Sequence, residues 1–149
     1  MADSTPARPG REEPYPAGVQ LVIVRHAEAA PGDPDELRPL TPRGREDARA
    51  LGRKLREKGV QPDAIVSSPL LRARETGAEI GRALDTAPEP DERLAPGATP
   101  ADIRAVAEGR GEHVVVVGHQ PDFGRAAAAL SGGPEPEFPT AGVFEVELK

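Results

Sequence analysis

The amino-acid sequence predicts an α/β protein built as a three-layer sandwich, in which helices flank a mostly parallel central sheet. Short aliphatic runs without interruption, such as the run over 114–117, are typical of strands that are buried on both faces. Stretches with apolar residues at helical spacing alternate with these runs, and Pro residues mark the helix starts. Alternation of strand and helix favours parallel strand pairing with helices on both faces.

The predicted elements follow one another from Leu21 to the end of the chain. Predicted strands cover 21–24, 64–66, 114–117 and 143–148, with at most a short strand before Leu94. Predicted helices begin at Thr41-Pro42, Ser68-Pro69, Thr99-Pro100 and Pro121, and the first runs to about Lys58, where Gly59 stops it.

Length and composition indicate one domain and exclude several classes of function. The chain has 149 residues; we expect a folded domain over 19–149 and a disordered, proline-rich tail over 1–18. The net charge is −6, from 19 Lys and Arg against 25 Asp and Glu, and aromatic residues are few, which argues against nucleic-acid binding. The absence of Cys excludes disulfides, thiolate zinc sites and cysteine-nucleophile phosphatases. With no signal peptide or membrane-spanning run in the sequence, we expect a cytoplasmic monomer.

Histidine and arginine side chains follow the predicted strands where those strands end. Arg25 and His26 come after the first strand, Arg72 lies one turn into the helix after the second, and His119 follows the strand over 114–117. Ligands of open α/β sheets bind outside the carboxyl ends of the strands. Guanidinium groups bind phosphate bidentately, and imidazole can act as a nucleophile at phosphorus. The sequence therefore predicts a small cationic site for a phosphoryl group.

The same residues lie in motifs that resemble a known family. The stretch over 25–28 resembles the Arg-His-Gly signature of the histidine phosphatase superfamily, which has the phosphoglycerate mutase-like fold. The stretches over 37–41, 67–76 and 117–121 resemble its short SixA-type branch of phosphohistidine phosphatases. The resemblance covers roughly 21–148, and the ordered set of motifs is much more specific than any one of them.

The resemblance implies a role for each residue of the site, with no cofactor and no metal. His26 is the expected nucleophile, Arg25 and Arg72 bind the phosphoryl oxygens, and His119 donates a hydrogen bond to an equatorial oxygen. The expected substrate-binding residues are Arg38, as an outer phosphate contact, together with Ala27 and Gly118. Ala27 stands where the family has glycine, and the alanine is strained if the position needs a positive φ.

Two features indicate a phosphorylated histidine on a partner protein as the substrate. The chain is too short for the lid that larger relatives carry, so we expect a shallow pocket. No carboxylate matches the family's general acid, although Glu28, Asp33, Glu92 and Asp122 are candidates. An imidazole leaving group needs less protonation than an alkoxide. The alternatives are a small-molecule phosphate ester as substrate and a non-catalytic module that binds phosphorylated ligands.

Structural interpretations remain open for several of these residues. His26, His119 and Asp122 could form a metal site, and Arg72 could pair with Glu75 or Glu79 on its helix. The serine pair over 67–68 is interpreted as a strand end and a helix cap. The acidic residues over 33–36 are interpreted as a solvated loop that borders the pocket and repels anionic competitors.

Overall fold

The computed structural model describes residues 18–149, so the predicted tail lies outside the described residues except for Gly18. Within them, the chain forms one sheet in the order β3-β2-β4-β1-β5, and β5 is antiparallel to its neighbour while the other pairs are parallel. The strands are β1 (Val19–Arg25), β2 (Ala64–Ser67), β3 (Pro88–Pro90), β4 (His113–Gly118) and β5 (Val143–Leu148).

Helices cover both faces of the sheet, which confirms the predicted three-layer α/β sandwich. They are α1 (Pro42–Glu57), α2 (Leu71–Leu84), α3 (Pro100–Ala107) and α4 (Asp122–Ser131). Short 3-10 turns cover Asp35–Leu37 and Glu92–Leu94. No helix within 18–149 is long and apolar enough to cross a membrane.

Alternate side chains of the central strands build two cores. Val22 and Val115 pack on the face covered by α1 and α2, while Leu21 and Val114 pack on the face covered by α3 and α4. Both faces of β1 and β4 are therefore buried, which explains their continuous aliphatic sequence.

Two of the three predicted serine or threonine N-caps are present in the structure. Thr41 caps α1 by accepting from the Gly44 N–H at 2.9 Å, and Thr99 forms a capping box on α3. The predicted cap at Ser68 is wrong, because α2 begins at Leu71 and its N-cap, Leu70, makes no side-chain bond. The Ser68 hydroxyl lies inside the protein, where it contacts a histidine instead.

The strand register brings the carboxyl ends of β1, β2 and β4 to one level. Arg25 pairs with Gly118, and Ser67 pairs with Val117. The chain continues this register beyond the strands, since the His26 N–H donates to the Gly118 carbonyl at 3.0 Å. The residues that follow these strands therefore meet at one edge of the sheet.

Candidate active site

His26 is held in one tautomer by the backbone next to it. Its Nδ1 lies 2.7 Å from the carbonyl oxygen of Ala27. A carbonyl only accepts hydrogen bonds, so Nδ1 carries the proton and Nε2 of the neutral ring carries the free lone pair. His26 therefore has the tautomer that a nucleophilic Nε2 requires.

His119 lies beside His26 and is buried against the end of β2. The centroids of the two imidazole rings are 5.2 Å apart, and their planes are tilted by 58°. Nε2 of His119 lies 2.8 Å from the Ser68 hydroxyl, and the oxygen of that hydroxyl accepts from the Leu70 N–H at 3.2 Å. The serine fixes the orientation of the His119 ring, and Nδ1 is left as the ring's other polar atom.

The guanidinium group of Arg25 is hydrogen-bonded through Nη1, whereas its Nε–H is free. Its Nη1 donates to the carbonyl of Phe138, in the segment before β5, at 3.1 Å. Its Nε–H is buried and has no hydrogen-bond partner among residues 18–149. A buried donor without a partner carries a desolvation cost that a bound anion removes.

Arg72 and Arg38 are joined by one carboxylate, that of Asp35. Nη2 of Arg72 donates to Oδ2 of Asp35 at 3.1 Å, and Nη1 donates to the Asp35 carbonyl at 2.9 Å. Nη1 of Arg38 donates to the other carboxylate oxygen at 3.0 Å, and its Nε donates to the Ala30 carbonyl. Within the described residues, the alternative pairing of Arg72 with Glu75 or Glu79 is not found, and Arg72 instead pairs with Asp35 from the loop after β1.

Burial and the neighbouring arginines keep both imidazoles neutral at physiological pH. Burial is the largest cause that lowers the pKa of His26 below 6.5, and the charges of Arg72 and Arg25 add to it. Burial also lowers the pKa of His119 to about 4, and the proximity of His26 contributes. Positively charged arginines beside neutral imidazoles give this edge of the sheet the electrostatic character that favours an anion.

Ala27 is buried in a small apolar cluster with Leu40 and Ala48. Its backbone lies outside the positive-φ region, so the methyl group brings none of the strain that a left-handed glycine position would impose. Its N–H donates to the Thr76 hydroxyl at 3.0 Å, and that hydroxyl donates to the Arg72 carbonyl at 2.8 Å. Thr76 thus connects the residue after His26 to the helix that carries Arg72.

Gly118 ends β4 directly before His119 and is in contact with a ring from α4. A Cβ atom built on Gly118 would lie 2.3 Å from the Phe123 ring, so only glycine fits there. The absence of a side chain lets Phe123 pack beneath the site. A direct contact of Gly118 or Ala27 with substrate remains a prediction.

Two of the four candidate general acids are engaged in structural bonds. Glu28 accepts from the Thr41 hydroxyl at 2.7 Å, and Asp122 accepts from the Gly97 N–H at 2.7 Å. Asp33 and Glu92 lie exposed on the surface. Within 18–149, no group of three or more His, Asp or Glu side chains is arranged to hold a metal ion, and this includes the alternative site formed with Asp122.

Three residues of this site carry contacts that the sequence interpretation missed. The sequence pattern places Asp35 in a solvated loop and Ser68 at a helix cap, and it gives Thr76 no role. Asp35 had a signal, because it lies in an acidic run that borders the pocket. Ser68 and Thr76 had none, since a buried hydroxyl and an exposed one look alike in sequence.

The sheet, the paired imidazoles and the arginines define a class of protein, an α/β enzyme of phosphoryl transfer. The chain belongs to the histidine phosphatase superfamily (branch 1), whose family model matches residues 21–96. This confirms the resemblance seen in the sequence and the prediction of a phosphatase.

Two curated relatives match most of the chain. The phosphohistidine phosphatase SixA of Escherichia coli (strain K12) is 31% identical over 138 residues, which cover 87% of this chain and 86% of that protein. An uncharacterized protein of Picosynechococcus is 36% identical over 124 residues, covering 77% and 74%.

A solved structure agrees with these relatives. The structure of the protein histidine phosphatase SixA complexed with tungstate superposes with a TM-score of 0.78 at 30% identity. The match covers 86% of this chain and 87% of that one. The shared architecture therefore extends well beyond the segment that the family model matches.

Proposed function

We propose that this protein is a phosphohistidine phosphatase that works through a covalent intermediate on His26 and without a metal ion. The observation that carries this proposal is the bond between Nδ1 of His26 and the Ala27 carbonyl. It leaves the Nε2 lone pair free at the sheet edge, beside a second imidazole 5.2 Å away and next to arginine side chains.

The first step transfers the phosphoryl group from the substrate to His26. The Nε2 lone pair forms a bond to phosphorus while the bond from phosphorus to the substrate nitrogen breaks. The electron pair of that bond stays on the leaving imidazole, which takes up a proton from the solvent. Arg25 and Arg72 bind the phosphoryl oxygens. Nε2 of the neutral His119 ring accepts from the Ser68 hydroxyl in this proposal, so Nδ1 carries the proton and donates to an equatorial oxygen, which stabilises the charge of the transition state.

The second step returns His26 to its starting form. A water oxygen forms a bond to phosphorus as the bond to Nε2 breaks, and inorganic phosphate leaves. The water proton passes to the solvent or to the phosphate, so the imidazole ends neutral and protonated on Nδ1. The arginines supply the positive charge in both steps, so the mechanism needs no metal ion.

The preference for phosphohistidine rests on the leaving group and on the relative named above. Imidazole has a pKa of about 6.5 in its free form and leaves with little protonation, whereas an alkoxide needs a strong general acid. Glu28 and Asp122 are held in bonds with Thr41 and Gly97. SixA of Escherichia coli carries the name of a phosphohistidine phosphatase over the same span. A phosphorylated protein is accordingly the proposed partner.

Trapping of the labelled intermediate tests the mechanism. The protein is mixed with a ³²P-phosphohistidine protein and quenched in alkaline detergent. We expect label on the wild-type chain that survives alkali and is lost in mild acid, and no label on His26→Ala. His113→Ala, which changes a histidine at the start of β4, is the control and should label normally. Hydrolysis by His26→Ala at the wild-type rate would overturn the proposal.

Three further measurements test separate parts of the proposal. Excess EDTA should leave the rate unchanged, and loss of activity that added metal restores would contradict metal independence. Turnover of a phosphohistidine peptide should exceed that of sugar phosphates and p-nitrophenyl phosphate at equal concentration. The reverse order would identify a small-molecule phosphatase. Arg72→Ala should lower kcat/KM by about 10²–10³-fold.

A further inference from the structure

Asp35 places a negative charge at the mouth of a site built to bind an anion. Its carboxylate bonds to Arg72 with one oxygen and to Arg38 with the other, at 3.1 and 3.0 Å. The side chain of Arg72 is only 9% exposed, whereas that of Asp35 is 60% exposed. The arginine therefore lies inside the site, and the carboxylate lies on its solvent side.

The carboxylate stays charged under physiological conditions. Hydrogen bonds from Arg38 and Arg72 lower the pKa of Asp35 below 3.8. Its charge also reaches His119, since it counteracts part of the lowering of the pKa of that ring that burial causes. A charged group of a substrate that binds near Asp35 interacts with the same negative charge.

The contacts of Asp35 leave room for a phosphoryl group on Arg72. They use Nη1 and Nη2, and neither of them uses Nε. The Nε–H and one N–H of Nη2 are parallel along one edge of the planar guanidinium group and form a two-donor fork of the kind that binds phosphate. Asp35 and a phosphoryl group can therefore bind Arg72 together.

We propose that Asp35 selects substrates by the charge next to the phosphoryl group, and disfavours compounds that carry a second anion there. The inference rests on the proposed function and deepens it. A phosphohistidine side chain is neutral or cationic beyond its phosphoryl group, so the negative charge of Asp35 does not repel it. A carboxylate or second phosphate close to the reacting phosphorus meets the like charge of Asp35, and like charges suppress wrong partners.

Two small phosphate esters test this selection with matched shape. Phosphoethanolamine and phosphoglycolate both carry a charged group on a two-carbon chain, an ammonium in the first and a carboxylate in the second. Their dissociation constants are measured by isothermal titration calorimetry on the full chain. We expect wild type to bind phosphoethanolamine more tightly, and Asp35→Asn to reduce that preference by about three- to tenfold.

Asp35→Asn keeps an oxygen that can accept from an arginine, so it removes charge while preserving shape. A purely structural role would weaken both esters by the same factor and leave their ratio unchanged. Glu36→Gln removes a charge from an exposed neighbour on the same turn and should change the ratio less than twofold. The inference is overturned by an unchanged ratio in Asp35→Asn, by an equal change in Glu36→Gln, or by failure of wild type to bind either ester.

Failure of this inference is distinguishable from failure of the proposed function. The calorimetric ratio needs no turnover and no covalent intermediate. If His26→Ala still hydrolysed phosphohistidine while the ratio responded to Asp35→Asn, the mechanism would be wrong and the charge selection would stand. If the label were trapped on His26 and the ratio did not respond, the reverse would hold.

Discussion

The Ser68 hydroxyl lies 2.8 Å from Nε2 of His119, and both side chains are buried. The same oxygen accepts from the Leu70 N–H, so the loop between β2 and α2 fixes it in place. A serine that a sequence pattern assigns to a helix cap thus orients the second imidazole of the site. The proposed transition-state contact of His119 depends on that orientation.

Removal of this hydroxyl should therefore slow catalysis. Ser68→Ala leaves Nε2 of His119 buried without its partner, a loss of about 1–3 kcal/mol for a buried polar group. We expect kcat to fall by about 10- to 100-fold while KM changes less, because the contact of His119 forms mainly in the transition state. Steady-state kinetics with a phosphohistidine peptide measure both parameters.

Ser67→Ala is the matched control for this change. Ser67 is also buried, but its hydroxyl donates to the Ser68 carbonyl at 3.0 Å and not to an imidazole. Its replacement should leave kcat within about threefold. An equal fall in kcat for Ser67→Ala and Ser68→Ala would mean that the loop geometry matters and the bond to His119 does not.

The protonation of His26 should respond to pH and to Arg72 with a defined sign. Burial and the charges of the arginines lower the pKa of His26, so the neutral nucleophile persists below pH 6.5. Loss of the Arg72 charge in Arg72→Gln removes one of the lowering causes and should move the pKa upward. Titration of the ring followed by ¹H–¹³C NMR measures the midpoint directly.

An exposed arginine of the same helix, Arg74, serves as the control for this titration. Arg74→Gln should leave the midpoint of His26 within about 0.2 pH unit, because charges exposed to solvent are screened. A midpoint at or above 6.5 in the wild type would contradict the electrostatic description of the site. So would a downward movement in Arg72→Gln.

Restoring the family's glycine at position 27 should bring no gain. Ala27 is fully buried with Leu40 and Ala48, and its φ is not positive. Ala27→Gly removes packing and adds backbone entropy to the unfolded state, so we expect a loss of about 1 kcal/mol of stability. The rate should stay within about twofold of wild type. Urea denaturation and kinetics test the two expectations, and a rate increase of tenfold would show that the methyl group obstructs the site.

The sequence predicted the sheet and the grouping of the candidate site residues because both follow from strong local patterns. Continuous aliphatic runs mark β1 and β4, and the topology of parallel strands brings Arg25, His26 and His119 to one edge. The side-chain partners were not predictable in this way. Arg72 pairs with Asp35, and not with Glu75 or Glu79, because the loop that carries Asp35 folds across the strand ends. Sequence spacing does not predict the path of that loop.

Glu79 joins arginines from two helices, and sequence spacing does not reveal the two that come from α1. Its carboxylate is 2% exposed and accepts from Arg45 and Arg49 of α1 and from Arg82 of its own helix, at 3.2, 3.2 and 2.9 Å. Burial alone would raise the pKa of Glu79, but the hydrogen bonds from Arg45 and Arg49 outweigh burial and lower the pKa below 4.5. The carboxylate therefore joins α1 to α2 in its charged form.

Glu79→Gln should destabilise the fold by about 1–3 kcal/mol at pH 7, since it leaves arginines facing a buried neutral amide. A lowered pKa in the folded state contributes stability above the unfolded value and loses it as pH falls through the folded value. The difference between variant and wild type should thus shrink below pH 4.5, as urea denaturation at several pH values measures. Glu46→Gln, an exposed carboxylate that pairs with Arg49 and Arg53, should cost less than about 0.5 kcal/mol at any pH. A cost for Glu79→Gln that stays constant down to pH 3 would show that shape, and not charge, holds the two helices together.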